Sequence, residues 1–171
     1  MAEQERKRLN RKPTRLSEYD YSSEGAYFLT VCSKGHRCIF SRVVGGGVLD
    51  APRCELSGYG KAVEQTLLEV AEHYENIHLE SFVIMPNHIH LLLMCNGTSR
   101  TPSPTAANRQ NALIPSFIGT WKRFANKSAG AELFQRSYYD HIIRDEMDYI
   151  IRLRYIEENP AKWSSDEFYQ D

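Results

Sequence analysis

VIMPNHIHLLL, residues 83–93, sets a Pro-Asn pair between two apolar runs, 77–85 and 88–94. Proline fixes its own φ and asparagine tolerates tight turns, so the pair closes an antiparallel hairpin. Past His90 the second run is apolar on both faces, as expected of a strand lying centrally in a sheet beneath helices. Working outward, residues 26–32 (AYFLTVC) and 38–44 (CIFSRVV) are rich in β-branched and aromatic side chains and read as two more strands. Gly45-Gly46-Gly47 then breaks the chain, and a short strand follows at Val48-Leu49. Over 57–74, Val63, Leu67, Val70, Ala71 and Tyr74 recur at three- and four-residue steps, the pattern of an amphipathic helix packed on a sheet. A second such helix carries Ile114, Phe117, Ile118, Trp121, Phe124 and Ala125 on one face. A last helix, about 145–159, ends at Asn159 because Pro160 disfavours helical geometry in its predecessor. The sum is an α+β protein: a ferredoxin-like antiparallel sheet, helices packed on one face, and a C-terminal helix that carries Tyr155.

Residues 19–171 are expected to form one domain behind a basic N-terminal arm, 1–18, with a mobile Pro/Ser/Thr-rich linker at about 96–111. No run approaches the roughly 18 uninterrupted apolar residues of a membrane span, and the N-terminus lacks the apolar middle of a secretory signal. A cytoplasmic, nucleoid-associated protein with no membrane partner is the expectation. The cysteines, Cys32, Cys38, Cys54 and Cys95, include no CxxC pair and read as free buried thiols rather than disulfides or a zinc site. The net charge of −1 is not that of a protein that coats duplex DNA. Its distribution is uneven: Arg6, Lys7, Arg8, Arg11, Lys12 and Arg15 crowd the start, while Glu157, Glu158, Asp166, Glu167 and Asp171 crowd the end. Such an arm either tracks phosphates, with Arg11 and Lys12 at its centre, or is simply a solvated tail.

Side chains two apart on a strand share a face, so His88 and His90 can offer two imidazoles to one metal ion while Ile89 faces the opposite layer. The plainer alternative is a pair of hydrogen-bonded histidines at a strand entrance. Imidazoles with an open coordination position suit a divalent Lewis acid, and a neutral oxygen ligand would keep that ion electrophilic. Asn159 is a candidate for that oxygen. It lies four residues after Tyr155, and positions four apart neighbour each other on a helix face, about 6 Å along the axis. Equally, an Asn before Pro often just ends a helix, and Tyr155 could be a core aromatic.

These motifs and the text around them resemble a known family. VIMPNHIHLLL resembles the histidine–hydrophobic–histidine motif of the HUH endonucleases. YDYSSEGAYFLTVCSKGHRCIF (19–40), SFIGTWKRF (116–124) and FQRSYYDHIIRDEMDYIIRLRYIEENPAKW (134–163) resemble, in order, the REP-associated branch of the single-tyrosine transposases. The resemblance implies a transposase that nicks and rejoins single-stranded DNA folded into hairpins such as REP palindromes, with Mg²⁺ or Mn²⁺ as cofactor. His88 and His90 match the metal-binding histidines, Tyr155 the catalytic tyrosine that keeps the 5′-phosphate, and Asn159 the polar ligand four residues later. Other single-tyrosine transposases often carry Gln there, so direct and water-mediated coordination by the shorter Asn159 are both open. The resemblance also leaves both a homodimer and a monomer open.

Lys122, Arg123, Lys127, Arg136 and Arg144 could line a phosphate groove, or be ordinary solvated charges. Trp121 sits on the apolar stripe, which favours the core over base stacking. Tyr138, Tyr139 and His141 fall in family-like text without a role that their chemistry dictates. Two rival functions remain: a non-catalytic module that only binds DNA hairpins, and a metallohydrolase in which His88 and His90 activate water. Only the transposase would join DNA covalently to Tyr155.

Overall fold

A computed structural model describes residues 19–47, 50–97 and 112–169. The basic arm with Arg11 and Lys12, the Val48-Leu49 strand and most of the 96–111 linker lie outside these residues. Six strands and three α-helices follow in order: β1 (Gly25–Cys32), β2 (Ser41–Val44), β3 (Arg53–Leu56), α1 (Gly58–Glu72), β4 (Ile77–Ile84), β5 (His88–Cys95), α2 (Leu113–Ala129), β6 (Tyr139–Ile143) and α3 (Glu146–Glu158). Four strands form an antiparallel sheet in the order β4-β5-β1-β6, and β2 and β3 pair separately as a two-stranded ribbon. Without that ribbon the chain reads βαββαβ, with the third strand of the motif against the first: a ferredoxin-like sheet.

Two of the three α-helices, α1 and α3, begin where the sequence supplies a side-chain cap. Ser57 accepts from the Gly60 amide at 3.1 Å and Asp145 from the Asp148 amide at 2.8 Å, so each satisfies an N–H that the helix leaves unpaired. Gly60 also has a steric role, because a Cβ there would fall 2.0 Å from the Phe40 carbonyl oxygen.

The two faces of the sheet are covered differently. Tyr27, Leu29 and Val31 of β1 and Ile89, Leu91, Leu93 and Cys95 of β5 pack with Val63, Leu67, Phe117, Ile118 and Trp121 into the main core. Trp121 is wholly buried and donates its indole N–H to the Val63 carbonyl at 3.2 Å, so it is a core residue and not a base-stacking platform. The other face carries a small buried cluster, Phe28, Leu92 and Ile156, against which Leu153 and Tyr155 of α3 pack. Thus α1 and α2 share one face, and α3 lies on the opposite one.

Several expectations change. Residues 38–40 precede the strand, whose pairing starts only at Ser41, and a 3-10 helix, Lys34–His36, occupies the turn before them. Phe124 is 46% exposed: it lies at the edge of the apolar stripe of α2, outside the core. All cysteines of the chain are free, but only Cys32 and Cys95 are buried and Cys38 is exposed. Strand β6 and a 3-10 helix at Asn159–Ser165 were not expected. Among the described residues no helix is long and apolar enough to cross a membrane.

Candidate active site

The antiparallel register sets Thr30 of β1 beside His90 and Cys32 beside His88. With period-two alternation, the two histidines therefore point to the α3 side of the sheet, with Ile89 in the main core on the other. Both are buried, and their Nε2 atoms face each other at 3.0 Å.

Their remaining nitrogens are held by the protein. Asn87, itself fully buried, donates through Nδ2 to the carbonyl oxygens of Phe168 at 2.7 Å and His36 at 3.3 Å. Its amide orientation is thereby fixed, and its Oδ1 must accept from the His88 Nδ1–H, 2.9 Å away. This leaves the lone pair of His88 on Nε2, facing His90 Nε2. Thr30 Oγ1 holds His90 Nδ1 at 2.9 Å. Burial favours neutral imidazoles: it lowers His88 to about 4, against the opposing pull of Asp166, and lowers His90 well below its ordinary value, with the neighbouring His88 adding to the shift. Two neutral imidazoles, each held at Nδ1 and converging at Nε2, have the donor chemistry of a metal site.

Helix α3 brings Tyr155 over this pair. Its ring lies 5.1 Å from that of His90 and 5.8 Å from that of Phe28, which itself stacks on His90 at 5.0 Å. Burial first, and then the Asp166 charge, push the Tyr155 phenol above its ordinary value. One turn later Asn159 is 1% exposed, and its Oδ1 is a buried atom with no hydrogen-bond partner. An orphaned amide oxygen of this kind fits a metal ligand better than a helix terminator, which needs no burial. Helical geometry does not stop at Asn159: the chain tightens into the 3-10 helix, with Pro160 in its first turn, where no N–H is needed.

That turn returns Asp166 to the site. Its Oδ2 accepts from Asn159 Nδ2 at 3.3 Å and from the Tyr155 hydroxyl at 3.4 Å, and lies 4.0 Å from His88 Nε2. His88, His90 and Asp166 form a group able to hold a metal ion, with ligand atoms all within 4.8 Å of one another. The sequence reading holds Asp166 only as one charge of an acidic tail, and the unforeseen 3-10 helix brings it within reach of Tyr155. Trp163 and Phe168 complete the surroundings, with rings 6.0 and 4.8 Å from that of His88.

The basic candidates are scattered. Lys122 donates to the carbonyl oxygens of Gln135 at 2.9 Å and Ser137 at 3.0 Å, so part of its role is to hold the segment before β6. Lys122 and Arg136 line one cavity of about 420 Å³, together with Lys34, which the sequence reading passed over. Arg144 lines another at the far end of the sheet, near Ala26 and Met94. Arg123 and Lys127 are exposed on α2. Tyr138 is buried beneath the Lys122 ammonium, Tyr139 is exposed, and His141 pairs with Asp148 at 2.7 Å.

No family model matches the chain. An uncharacterized protein of Haemophilus influenzae is 30% identical over 95% of this chain and 94% of its own length. A second protein of that organism, provisionally named a REP-associated tyrosine transposase, is 24% identical over 91% of this chain and 82% of its own. Among solved structures, a REP-associated tyrosine transposase bound to a REP hairpin aligns with a TM-score of 0.57 at 18% identity, covering 81% of this chain and 68% of that one. The fold, an antiparallel sheet with packed helices and a C-terminal helix, is shared with that solved transposase. In sequence, the chain is similar to a protein named for the REP-associated tyrosine transposases, and in fold to a solved member of that group.

Proposed function

We propose that this protein is a metal-dependent enzyme that nicks and rejoins single-stranded DNA bearing REP-type hairpins, with Tyr155 as the nucleophile. One observation carries the reading: the Tyr155 ring sits 5.1 Å from His90, above two histidines whose Nε2 atoms converge at 3.0 Å. His88, His90 and Asn159 would hold the ion, Mg²⁺ or Mn²⁺. When bound, a divalent ion withdraws charge from the scissile phosphate and favours in-line displacement.

The residues of the chain supply the rest. The Tyr155 phenol oxygen attacks phosphorus as the P–O3′ bond breaks, which leaves a 5′-phosphotyrosine and a free 3′-hydroxyl. Asp166 Oδ2, which already accepts from the Tyr155 hydroxyl, is the nearest acceptor for the phenol proton. Phe28 buttresses the Tyr155 and His90 rings, which fixes the direction of attack. In reverse, a 3′-hydroxyl attacks the phosphotyrosine and reseals the strand without a nucleotide cofactor, because the ester conserves the energy of the broken bond. The substrate class follows the solved relative bound to a REP hairpin.

Incubation of the protein with pooled hairpin-bearing single strands and Mn²⁺ is expected to give a protein–DNA band that survives denaturation. Cleavage with no covalent band supports the metallohydrolase, and hairpin binding without cleavage supports the binding module.

A further inference from the structure

Asp166 is an anomaly of charge. Its side chain is 2% exposed, although its neighbours Ser165 and Glu167 are exposed. Burying a carboxylate is costly unless its charge is compensated. Oδ1 accepts from the Phe168 amide at 2.7 Å, a bond that turns the tail. Oδ2 has only the two long contacts from Asn159, 3.3 Å, and Tyr155, 3.4 Å. Among the described residues no Lys or Arg lies within ion-pair distance of it, and the nearest side-chain nitrogen of a titratable group is His88 Nε2 at 4.0 Å. The arrangement lacks a positive charge, and the gap lies between Oδ2 and the two Nε2 atoms.

We propose that Asp166 is itself a ligand of the divalent ion in the DNA-free protein, its Oδ2 completing a donor set with His88 Nε2 and His90 Nε2. The inference rests on the reading of the two histidines as metal ligands and adds an anionic oxygen to it. The spacings suit this. In an octahedral shell with bonds of about 2.1 Å, ligand atoms lie about 3 Å apart when adjacent and about 4.2 Å apart when opposite. The His88–His90 separation of 3.0 Å is that of adjacent ligands; Asp166 lies 4.0 Å from His88 and at most 4.8 Å from the farther ligand atom, so placing it opposite His90 and adjacent to His88 needs a movement of about 1 Å. Asn159 donates to Asp166 through Nδ2, steering the carboxylate, and keeps its unpartnered Oδ1 for the same ion or a water on it. A carboxylate in the set selects hard ions, Mg²⁺ or Mn²⁺, over softer ones.

The test is calorimetric titration of Mn²⁺ into the full-length protein without DNA, comparing wild type with Asp166→Asn, Asp166→Ala and His88→Ala. Thermal melting of each variant in excess chelator establishes the temperature at which it is folded, and the Mn²⁺-induced rise in Tm gives a second reading of affinity. Asp166→Asn and Asp166→Ala should each weaken Mn²⁺ by at least about tenfold, a loss that even outer-sphere partners of metal sites reach. If His88→Ala weakens Mn²⁺ and both Asp166 variants bind like wild type, the inference is overturned while the histidine site stands. If His88→Ala also leaves Mn²⁺ affinity unchanged, the metal reading falls and takes this inference with it.

Discussion

Strand β5 has two faces built for opposite purposes. Toward α1 and α2 it presents Ile89, Leu91, Leu93 and Cys95 to a closed apolar core that holds Trp121, Phe117 and Leu67. Toward α3 it presents His88, His90 and Leu92, and the buried apolar cluster there is only Phe28, Leu92 and Ile156. Apolar burial on the first face stabilises the fold. On the second, Thr30, His88, His90 and Asn159 are polar groups desolvated beneath one helix, an arrangement that costs stability and concentrates chemistry. One strand read at period two thus separates the scaffold from the site.

This division can be broken by substitutions on either side. The largest effect is expected at His90. His90→Ala should reduce DNA cleavage by several orders of magnitude, measured as covalent adduct on denaturing gels, with little loss of stability because a desolvated imidazole is removed. Trp121→Ala should do the reverse. It should lower unfolding free energy by about 3–5 kcal/mol in a denaturant titration, the usual cost of deleting a buried large aromatic. Its residual folded protein should still bind Mn²⁺. A Trp121 variant of wild-type stability with lost metal affinity would show that the two faces are not separate.

A smaller effect sharpens the comparison through pH. In excess chelator His88 titrates at about 4, below the ordinary histidine value, so between about 6.5 and 4 the unfolded chain binds a proton that the folded chain does not. Stability should therefore be full above pH about 6.5 and decline as pH falls toward 4. His90, lowered in the same direction, adds to the decline. Denaturation midpoints across this range should fall less steeply for His88→Ala than for wild type; equal slopes would place the histidines in contact with water.

Much of the sheet and its helices was legible in the sequence because each element carries a signal: β-branched and aromatic residues in β1, a continuous apolar run in β5, and three- and four-residue steps in α1 and α2. Hairpin β4–β5 follows from Pro86-Asn87, and the shared face of His88 and His90 follows from the strand alone. Strand β6 was hidden because YDHII mixes polar and apolar residues and pairs only with β1 at the edge of the sheet. The short β3 was missed for a like reason, since RCEL alternates on a ribbon outside the main sheet. The role of Asp166 had no local signal at all. It depends on the 3-10 helix after Asn159, where Pro160 turns the chain instead of releasing it. Lys122 likewise has partners that no local pattern announced, since its ammonium is engaged by the Gln135 and Ser137 carbonyls.

The central claim is that the Tyr155 phenol becomes joined to DNA. The most direct measurement is mass spectrometry of the protease-digested adduct formed with a hairpin-bearing strand and Mn²⁺, run beside Tyr155→Phe, Tyr138→Phe and Tyr139→Phe. Removing one phenol oxygen from Tyr155 leaves its ring against Phe28 and His90, so the variant should fold like wild type. The DNA 5′-phosphate should be found on the peptide that holds Tyr155, and the adduct should vanish in Tyr155→Phe while persisting in the other two. Adduct formation by Tyr155→Phe at the wild-type rate, or a modified peptide containing Tyr138 or Tyr139, would contradict the account.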